Sequence, residues 1–300
     1  MHNLQQNFNN ILIIVKKSLR ELLDSNGNIK KIGRKPKFSD AEIITLSILA
    51  ECLMINSENY LFQKLNKFKI VFPHLIDRSN FNRRRRQLSN YTELVRRHLV
   101  AQLTLGENTF IIDSMPLPIC RFSRAKRIRI CKKEHQNAPD FGFCAAQNLP
   151  FYGYKLHSIS SLDGVITHFD LTKAQVADIH FLKDVKDQYN DCLLLGDKAY
   201  LSDPMQTELF QDYGLLINTP KRINQKNYVK QPPLFRKIRK RIETIFSQLC
   251  DQFQIQNNYA KSFWGLATRI LAKITGYTML QYLNKYSLNK QLCHVKHAIL

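Results

Sequence analysis

Acids are scarce in this chain. Its 300 residues carry 24 Asp and Glu against 45 Lys and Arg, a formal charge of +21. Such an imbalance says little about fold, but it calls for a polyanionic partner, either nucleic acid or an anionic membrane surface. Long apolar runs are missing as well. No stretch of about 18 apolar residues occurs, so no helical membrane span is expected. The N-terminus has no secretory signal pattern. Ile11 to Val15 is a short apolar patch that continues as Lys16-Lys17-Ser18-Leu19-Arg20-Glu21-Leu22-Leu23, an amphipathic helix. Nucleic acid is therefore the expected partner. No C-x-x-C pair occurs among the seven cysteines, and their number is odd. That argues against a disulfide framework and a structural zinc site, and it fits a reducing cytoplasm. The absence of a Walker-type loop excludes a bound nucleotide cofactor, and Ser114 has no G-x-S-x-G setting for acyl chemistry.

What is present is enough apolar material, 44% of the chain, to build a real core, and length enough for two domains. The first hundred residues read as helices. Ser39-Asp40-Ala41-Glu42 is a capping box ahead of the apolar face Ile43, Ile44, Leu46, Ile48, Leu49, Cys52 and Leu53. A second helix is expected from Asn59 to Phe68. A third follows Ser79 as its N-cap and carries Arg83, Arg84, Arg85 and Arg86 in a row, and a fourth runs from about Tyr91 to Leu103. Short helices ending in an Arg-rich one suggest an all-α, helix-turn-helix-like DNA-binding domain over residues 1–105. The alternative is a solvated basic helix on an ordinary helical domain.

After the turn Gly106-Glu107-Asn108 the pattern changes. Thr109 to Asp113 is an apolar run of the kind a buried strand needs. Residues 119–150 form a basic, weakly periodic insertion. Phe151 to Ser160 and Val165 to Leu171 read as a hairpin around Asp163-Gly164. Asp178 is expected to cap a helix reaching Tyr189. Cys192 to Leu195 is a further buried strand, Pro204 to Tyr213 a helix, Leu215 to Asn218 a strand, and Pro233 to Phe253 and Phe263 to Tyr286 are helices. Three strands followed by alternating helices and strands is the order of an α/β RNase H-like domain, a mixed five-stranded sheet with flanking helices. This predicts a catalytic domain over 106–286 and a tail over 287–300. In that fold the first and fourth strands are neighbours, which would bring Asp113 and Asp197 to one sheet end.

Glu243 is the third carboxylate of interest. The helix Phe235, Ile238, Ile242, Ile245, Phe246, Leu249, Phe253 has an apolar face, and Glu243 lies about 110° from its centre, on the flank. It is the only acid between Arg222 and Cys250. Two readings stand: a metal ligand, or a partner that neutralises Arg239 or Arg236. Phosphoryl transfer gives a reason to join the three acids. Two divalent ions activate an attacking oxygen and stabilise a leaving one, and Mg²⁺ or Mn²⁺ prefer oxygen ligands. Surrounding cations would bring polyanionic DNA to an acidic pocket.

Three segments, Ile111-Ile112-Asp113-Ser114-Met115-Pro116, Leu195-Gly196-Asp197-Lys198-Ala199-Tyr200 and Arg241-Ile242-Glu243-Thr244-Ile245-Phe246-Ser247-Gln248-Leu249, resemble the acidic motifs of bacterial insertion-sequence DDE transposases, closest to the insertion sequence 982 family. The resemblance covers most of the chain, to about Tyr286. It implies that Asp113, Asp197 and Glu243 bind two divalent ions, Mg²⁺ or Mn²⁺ in its place. One departure is visible. Related families carry a Tyr and an Arg before the Glu and a Lys seven residues after it. Here Arg239 matches the Arg, whereas Arg236 and Cys250 stand at the other two positions.

The expected activity is cleavage at the ends of a mobile element, with transfer of the freed 3′-hydroxyl to target DNA and no covalent protein–DNA intermediate. Terminal inverted repeats and target DNA are the expected partners. Two ends need two sites, so a dimer or larger assembly on DNA is expected, in the cytoplasm and over the nucleoid. A DNA-binding regulator without chemistry and a nuclease without strand transfer are the other readings. Candidate DNA contacts are Arg83, Arg84, Arg85 and Arg86 on the third helix and Arg121, Arg124, Arg127 and Arg129 in the insertion. Lys198, Lys221, Arg222, Arg236, Arg239 and Lys240 complete the set around the later motifs. Tyr200 and the single tryptophan, Trp264, are expected to pack, His157 to be packed or solvated on its strand instead of serving as a general base, and His180 to stay structural near a helix start. Phosphate contact is the other reading for Tyr200 and His180, and base stacking for Trp264.

Overall fold

A computed structural model of the chain describes residues 4–68, 70–145, 147–186, 188–221, 224, 228–230 and 232–297. The chain divides into two compact units, one of Met1–Leu103 with Leu249–Leu300 and the other of Thr104–Gln248.

The helical unit begins with α1 (Leu4–Ser18), α2 (Asp40–Cys52), α3 (Glu58–Leu65), α4 (Arg78–Gln87) and α5 (Ser89–Leu103). The expected capping box forms: Ser39 accepts from the Glu42 backbone N–H, and Glu42 Oε2 accepts from the Ser39 N–H at 2.6 Å. The start of α4 differs from expectation. Asp77, not Ser79, is the cap, its carboxylate accepting from the Asn80 N–H at 3.0 Å. An ionised carboxylate is the stronger acceptor at a helix start, and it complements the helix dipole.

The sheet unit contains β1 (Thr109–Pro118), β2 (Asp140–Cys144), β3 (Leu149–Ser161), β4 (Ile166–Lys173), α6 (Leu182–Val185), β5 (Leu193–Leu195), α7 (Asp203–Tyr213) and β6 (Leu216–Asn218). The six strands form one mixed sheet, with β4, β3, β1, β5 and β6 side by side in that order and β2 paired to the start of β3. β1 is antiparallel to β3, and β5 is parallel to both β1 and β6. This mixed α/β arrangement is compatible with an RNase H-like domain, and the neighbouring placement of the first strand and the strand before Asp197 is observed. Two local expectations are corrected. β2 emerges from the basic insertion and makes six strands where five were expected. The helix expected from Asp178 to Tyr189 is a 3₁₀ turn, Asp178–Phe181, followed by the four residues of α6. Gly153 permits the crossing of β3 past β1, because a Cβ there would stand 2.2 Å from the Leu117 carbonyl oxygen. Phe110, Ile112, Ile159, Phe181, Leu194 and Tyr200 are among the side chains that close the core.

α8 (Pro233–Asp251) runs through the boundary between the units, and α9 (Phe263–Tyr286) belongs to the helical one. α9 packs against α2 and α5, and its buried residues run almost without a break from Leu266 to Asn284. Gly276 allows the approach to α2: a Cβ there would meet the Glu51 Cβ at 3.2 Å. Among the described residues no helix is long and apolar enough to cross a membrane.

Candidate active site

The sheet places the first two acids by register. Ile111 pairs with Leu195 across the parallel β1–β5 ladder, and Asp113 and Asp197 each lie two residues further on. Successive side chains alternate faces, so Asp113 keeps the face of Ile111. It does not end the strand as expected, because β1 runs on to Pro118 against β3. It stands just past the carboxyl end of the parallel β1–β5 pairing. Ligands favour that end of a parallel pair in α/β sheets. Both carboxylates are half-buried. Asp197 folds back to cap the 3₁₀ turn Lys198–Tyr200, accepting from the Ala199 N–H at 2.6 Å. Asp113 accepts from the Ser114 N–H at 2.8 Å.

The electrostatics of this pair are unusual. Burial pushes the Asp113 carboxyl up to about 7, and the negative charges of Asp197 and Asp178 add to the rise, against the Ser114 N–H and the Arg239 guanidinium. Asp178 is brought in by the 3₁₀ turn after β4 and is held by the Lys155 ammonium at 2.8 Å. Tyr200 completes the surroundings. Its hydroxyl is fully buried without a hydrogen-bond partner, and burial with the charges of Asp113, Asp178 and Asp197 drives its pKa far above the ordinary tyrosine value. In the sequence Asp178 has the place of a helix cap and, with Asp251, that of a reserve carboxylate should Glu243 not be a ligand. Nothing in its spacing announces that the turn after β4 returns to the carboxyl end of the β1–β5 pairing.

Glu243 lies on α8, exposed, beside the buried Ile242. It sits one turn beyond Arg239, and i and i+4 share a helix face, so it follows the residue whose charge falls on Asp113. α8 is anchored to the β3–β4 turn by Arg241, whose Nε donates to the Leu162 carbonyl at 3.3 Å. Among the described residues, Glu243 forms no salt bridge with Arg239 or Arg236. Among the same residues, no three His, Cys, Asp or Glu side chains gather closely enough to hold a metal ion.

The candidate DNA contacts separate by exposure. Arg121, Arg124, Arg127 and Arg129 are all exposed, around the buried anchors Ala125 and Cys131. Lys198, Lys221, Arg236 and Lys240 are exposed, Arg239 is half-buried, and Arg222 lies outside the described residues. On α4 the four arginines divide. Arg83 and Arg86 are exposed, whereas Arg84 is tied to Asp40 at 2.7 Å and to the Phe38 carbonyl, and Arg85 is buried on Glu58 at 2.7 Å. His157 is packed, stacked on Phe181 at 4.8 Å with Nε2 against the Thr172 hydroxyl at 2.8 Å. His180 is exposed. Trp264 does not pack as expected: it is 60% exposed.

The family model described as the transposase DDE domain matches residues 104–279. That is more than half of the chain, and the chain belongs to this family of transposases. Neither a curated protein nor a solved structure matches it.

Proposed function

We propose that the chain is an insertion-sequence transposase of the 982 type that binds the ends of its element, cuts them, and joins the 3′-hydroxyls to target DNA. The observation that carries the reading is the Asp113–Asp197 pair just beyond the carboxyl end of the parallel β1–β5 pairing, where burial first, and then the charges of Asp197 and Asp178, lift Asp113 to about 7. This donor set fits a hard divalent ion, Mg²⁺ or Mn²⁺. The oxygens are hard, the charge is uncompensated, and the buried Tyr200 hydroxyl beside it lacks a partner. Asp113 and Asp197 would hold two such ions, with Glu243 approaching from α8 as the third carboxylate. When bound, the ions supply charge stabilisation at the phosphorus and a nucleophile at neutral pH.

The chain's own groups do the rest. Arg239, half-buried beside the carboxylates, balances phosphate charge at the site. Lys198, exposed on the turn that Asp197 caps, offers a second cation to the incoming strand. The basic insertion and the Lys221–Arg241 region line the DNA path, and residues 1–105 read the terminal repeats. Paired ends call for a dimer or larger assembly on DNA, working in the cytoplasm at the nucleoid.

The test is Mg²⁺-dependent cleavage and strand transfer on a plasmid carrying the element's ends. Asp113→Asn, Asp197→Asn and Glu243→Gln should each reduce both reactions to background while end binding holds and the metal-free variants melt no lower than the parent. Since the three groups build one site, the triple variant should be no worse than any single one. If Glu243→Gln cuts within about tenfold of the parent, roughly 1.4 kcal/mol of barrier, Glu243 is not a ligand. Asp178 or Asp251 is then the carboxylate to exchange next.

A further inference from the structure

The helical unit holds a cleft of about 590 Å³. Three segments wall it: the start of α3 with Glu58, the α4 face with Arg78, Arg85 and Arg86, and the approach to α9 with Lys261, Ser262 and Arg269. Five cations thus face one acid across its surface. Behind them the buried network is also short of negative charge. Arg85 and Arg269 share Glu58 at 2.7 and 3.4 Å, and Arg269 and Lys273 share Glu51 at 3.8 and 2.9 Å. Three buried cations meet two carboxylates.

The guanidiniums are also incompletely bonded. Arg85 and Arg269 are 6% and 5% exposed, and each keeps an Nε without a hydrogen-bond partner. A buried N–H left unmade is costly, so these two groups point to a missing acceptor. The 24-residue α9 starts at the same cleft, capped by Ser262, and a long helix adds partial positive charge at its N-terminus. Two rings stand beside it in solvent, Tyr259 at 69% and Trp264 at 60% exposure. Trp264 lies in the first turn of α9, between Ser262 and Gly265, which both line the cleft.

We propose that this cleft binds a backbone phosphate of DNA, with an adjoining base against the exposed rings of Tyr259 and Trp264. The assignment rests on the reading of the chain as a DNA-transposing enzyme. It moves the anion site from the outer face of the four-arginine helix to the cleft that α4 shares with α9. Phosphate oxygens accept the unused N–H groups, the rim cations Arg78, Arg86 and Lys261 neutralise the diester, and base stacking on an aromatic face is tolerant of sequence.

Trp264 is the chain's only tryptophan, so its fluorescence reads this cleft in the full-length protein. Titration with a short duplex should quench it, and the Asp113→Asn variant should be quenched like the parent. Arg78→Ala with Lys261→Ala, both at exposed positions, should weaken duplex binding at least tenfold. It should also flatten the log–log salt slope by about 0.9, one phosphate contact, with an unchanged melting temperature. Lys261→Arg should bind like the parent. Anisotropy of a labelled duplex separates the failures. Binding by anisotropy with steady Trp264 emission and parent-like affinity in the double variant overturns the cleft and spares the DNA reading. No anisotropy change with any DNA overturns both. Quenching by inorganic phosphate but not by DNA removes the nucleic-acid source.

Discussion

The two units carry charge out of water in opposite ways. In the helical unit Glu51 is 3% exposed and meets the Lys273 ammonium at 2.9 Å, while the same ammonium donates to the Phe253 carbonyl at 2.6 Å and to Asn56 Oδ1 at 3.2 Å. In the sheet unit Asp113 has no salt-bridge partner among the described residues. Its carboxylate accepts from the Ser114 backbone N–H, and the charges of Asp197 and Asp178 add to the cost of its burial. A buried charge that is paired holds structure. One that is left beside like charges is unstable by itself, and such groups concentrate where chemistry is done. The contrast separates scaffold from site without reference to motif.

The comparison is broken most strongly at Asp113. Its substitution by Asn should abolish cleavage, yet raise rather than lower stability in the metal-free protein. The folded-state pKa is raised, from 3.8 to about 7. The stability linked to this group is therefore fully present below about 3.8 and is lost as pH rises through 7. At pH 8 the parent bears the full penalty, at most about 4 kcal/mol before solvent screening, and Asp113→Asn escapes it. Melting curves in chelator should show the variant above the parent at pH 8 and the gap closing toward pH 4. Added Mg²⁺ should raise the melting temperature of the parent and leave that of the variant in place. A variant that melts below the parent at pH 8 would make Asp113 a structural acid.

Lys273 should behave in the reverse sense. Lys273→Met removes the nearer cation of buried Glu51 and leaves it only Arg269 at 3.8 Å, which costs about 3–5 kcal/mol. Joining it with Glu51→Leu, so that both charges go, should recover most of the loss. Urea unfolding of the parent, the single and the double variants measures this. An equal loss in single and double variants would mean that packing, not pairing, is what Lys273 supplies.

The sequence spoke clearly where one chemical property decided the structure and fell short where a distant partner did. The apolar runs before Asp113 and Asp197 became β1 and β5 because a buried strand has few other solutions, and their register followed. The Ser39–Glu42 cap is local and was legible for the same reason. β2 was not, since Asp140 to Cys144 sits in a cationic segment whose pairing is supplied by β3. The run Arg83 to Arg86 reads as one basic face. Only Asp40 and Glu58, distant in sequence, turn Arg84 and Arg85 inward. α9 follows its apolar residues to the predicted ends, but its membership of the helical unit depends on Gly276 fitting against Glu51 of α2. Of the site, the two aspartates were legible from the apolar runs before them, although β1 continues past Asp113 to Pro118, whereas the placement of Asp178 and the buried Tyr200 hydroxyl needed the fold.

His157 sharpens the contrast, because it is buried without charge. Burial pushes its pKa down to about 4, with Lys155 assisting and Asp178 opposing. A depressed histidine works against folding in acid. Above about 6.5 it is neutral in both states and contributes nothing to the pH dependence. As pH falls from 6.5 toward 4 the unfolded chain takes up a proton that the folded ring refuses, and about 3 kcal/mol is lost. Asp113 pulls the other way over the same range. In the His157→Gln variant, stability should therefore fall less, or rise, between pH 6.5 and 4.5. Identical slopes in parent and variant would remove His157 from the acid response.

The smallest effect is expected where charge is neither buried nor paired. Arg127 and Arg129 are exposed on the basic insertion, with the chain between them and β2 pinned by the buried Cys131. Solvated cations of this kind hold no structure, so replacing both with Ala should leave the melting temperature unchanged. Their value lies in releasing counterions from DNA. Each phosphate contact contributes roughly −0.9 to the slope of log affinity against log salt, without regard to base sequence. The double variant should therefore bind terminal-repeat and scrambled duplexes more weakly by the same factor, and its slope should be flatter by up to about 1.8. An affinity loss confined to the terminal repeat would make these arginines readers of sequence. An unchanged slope would place the DNA path elsewhere on the sheet unit.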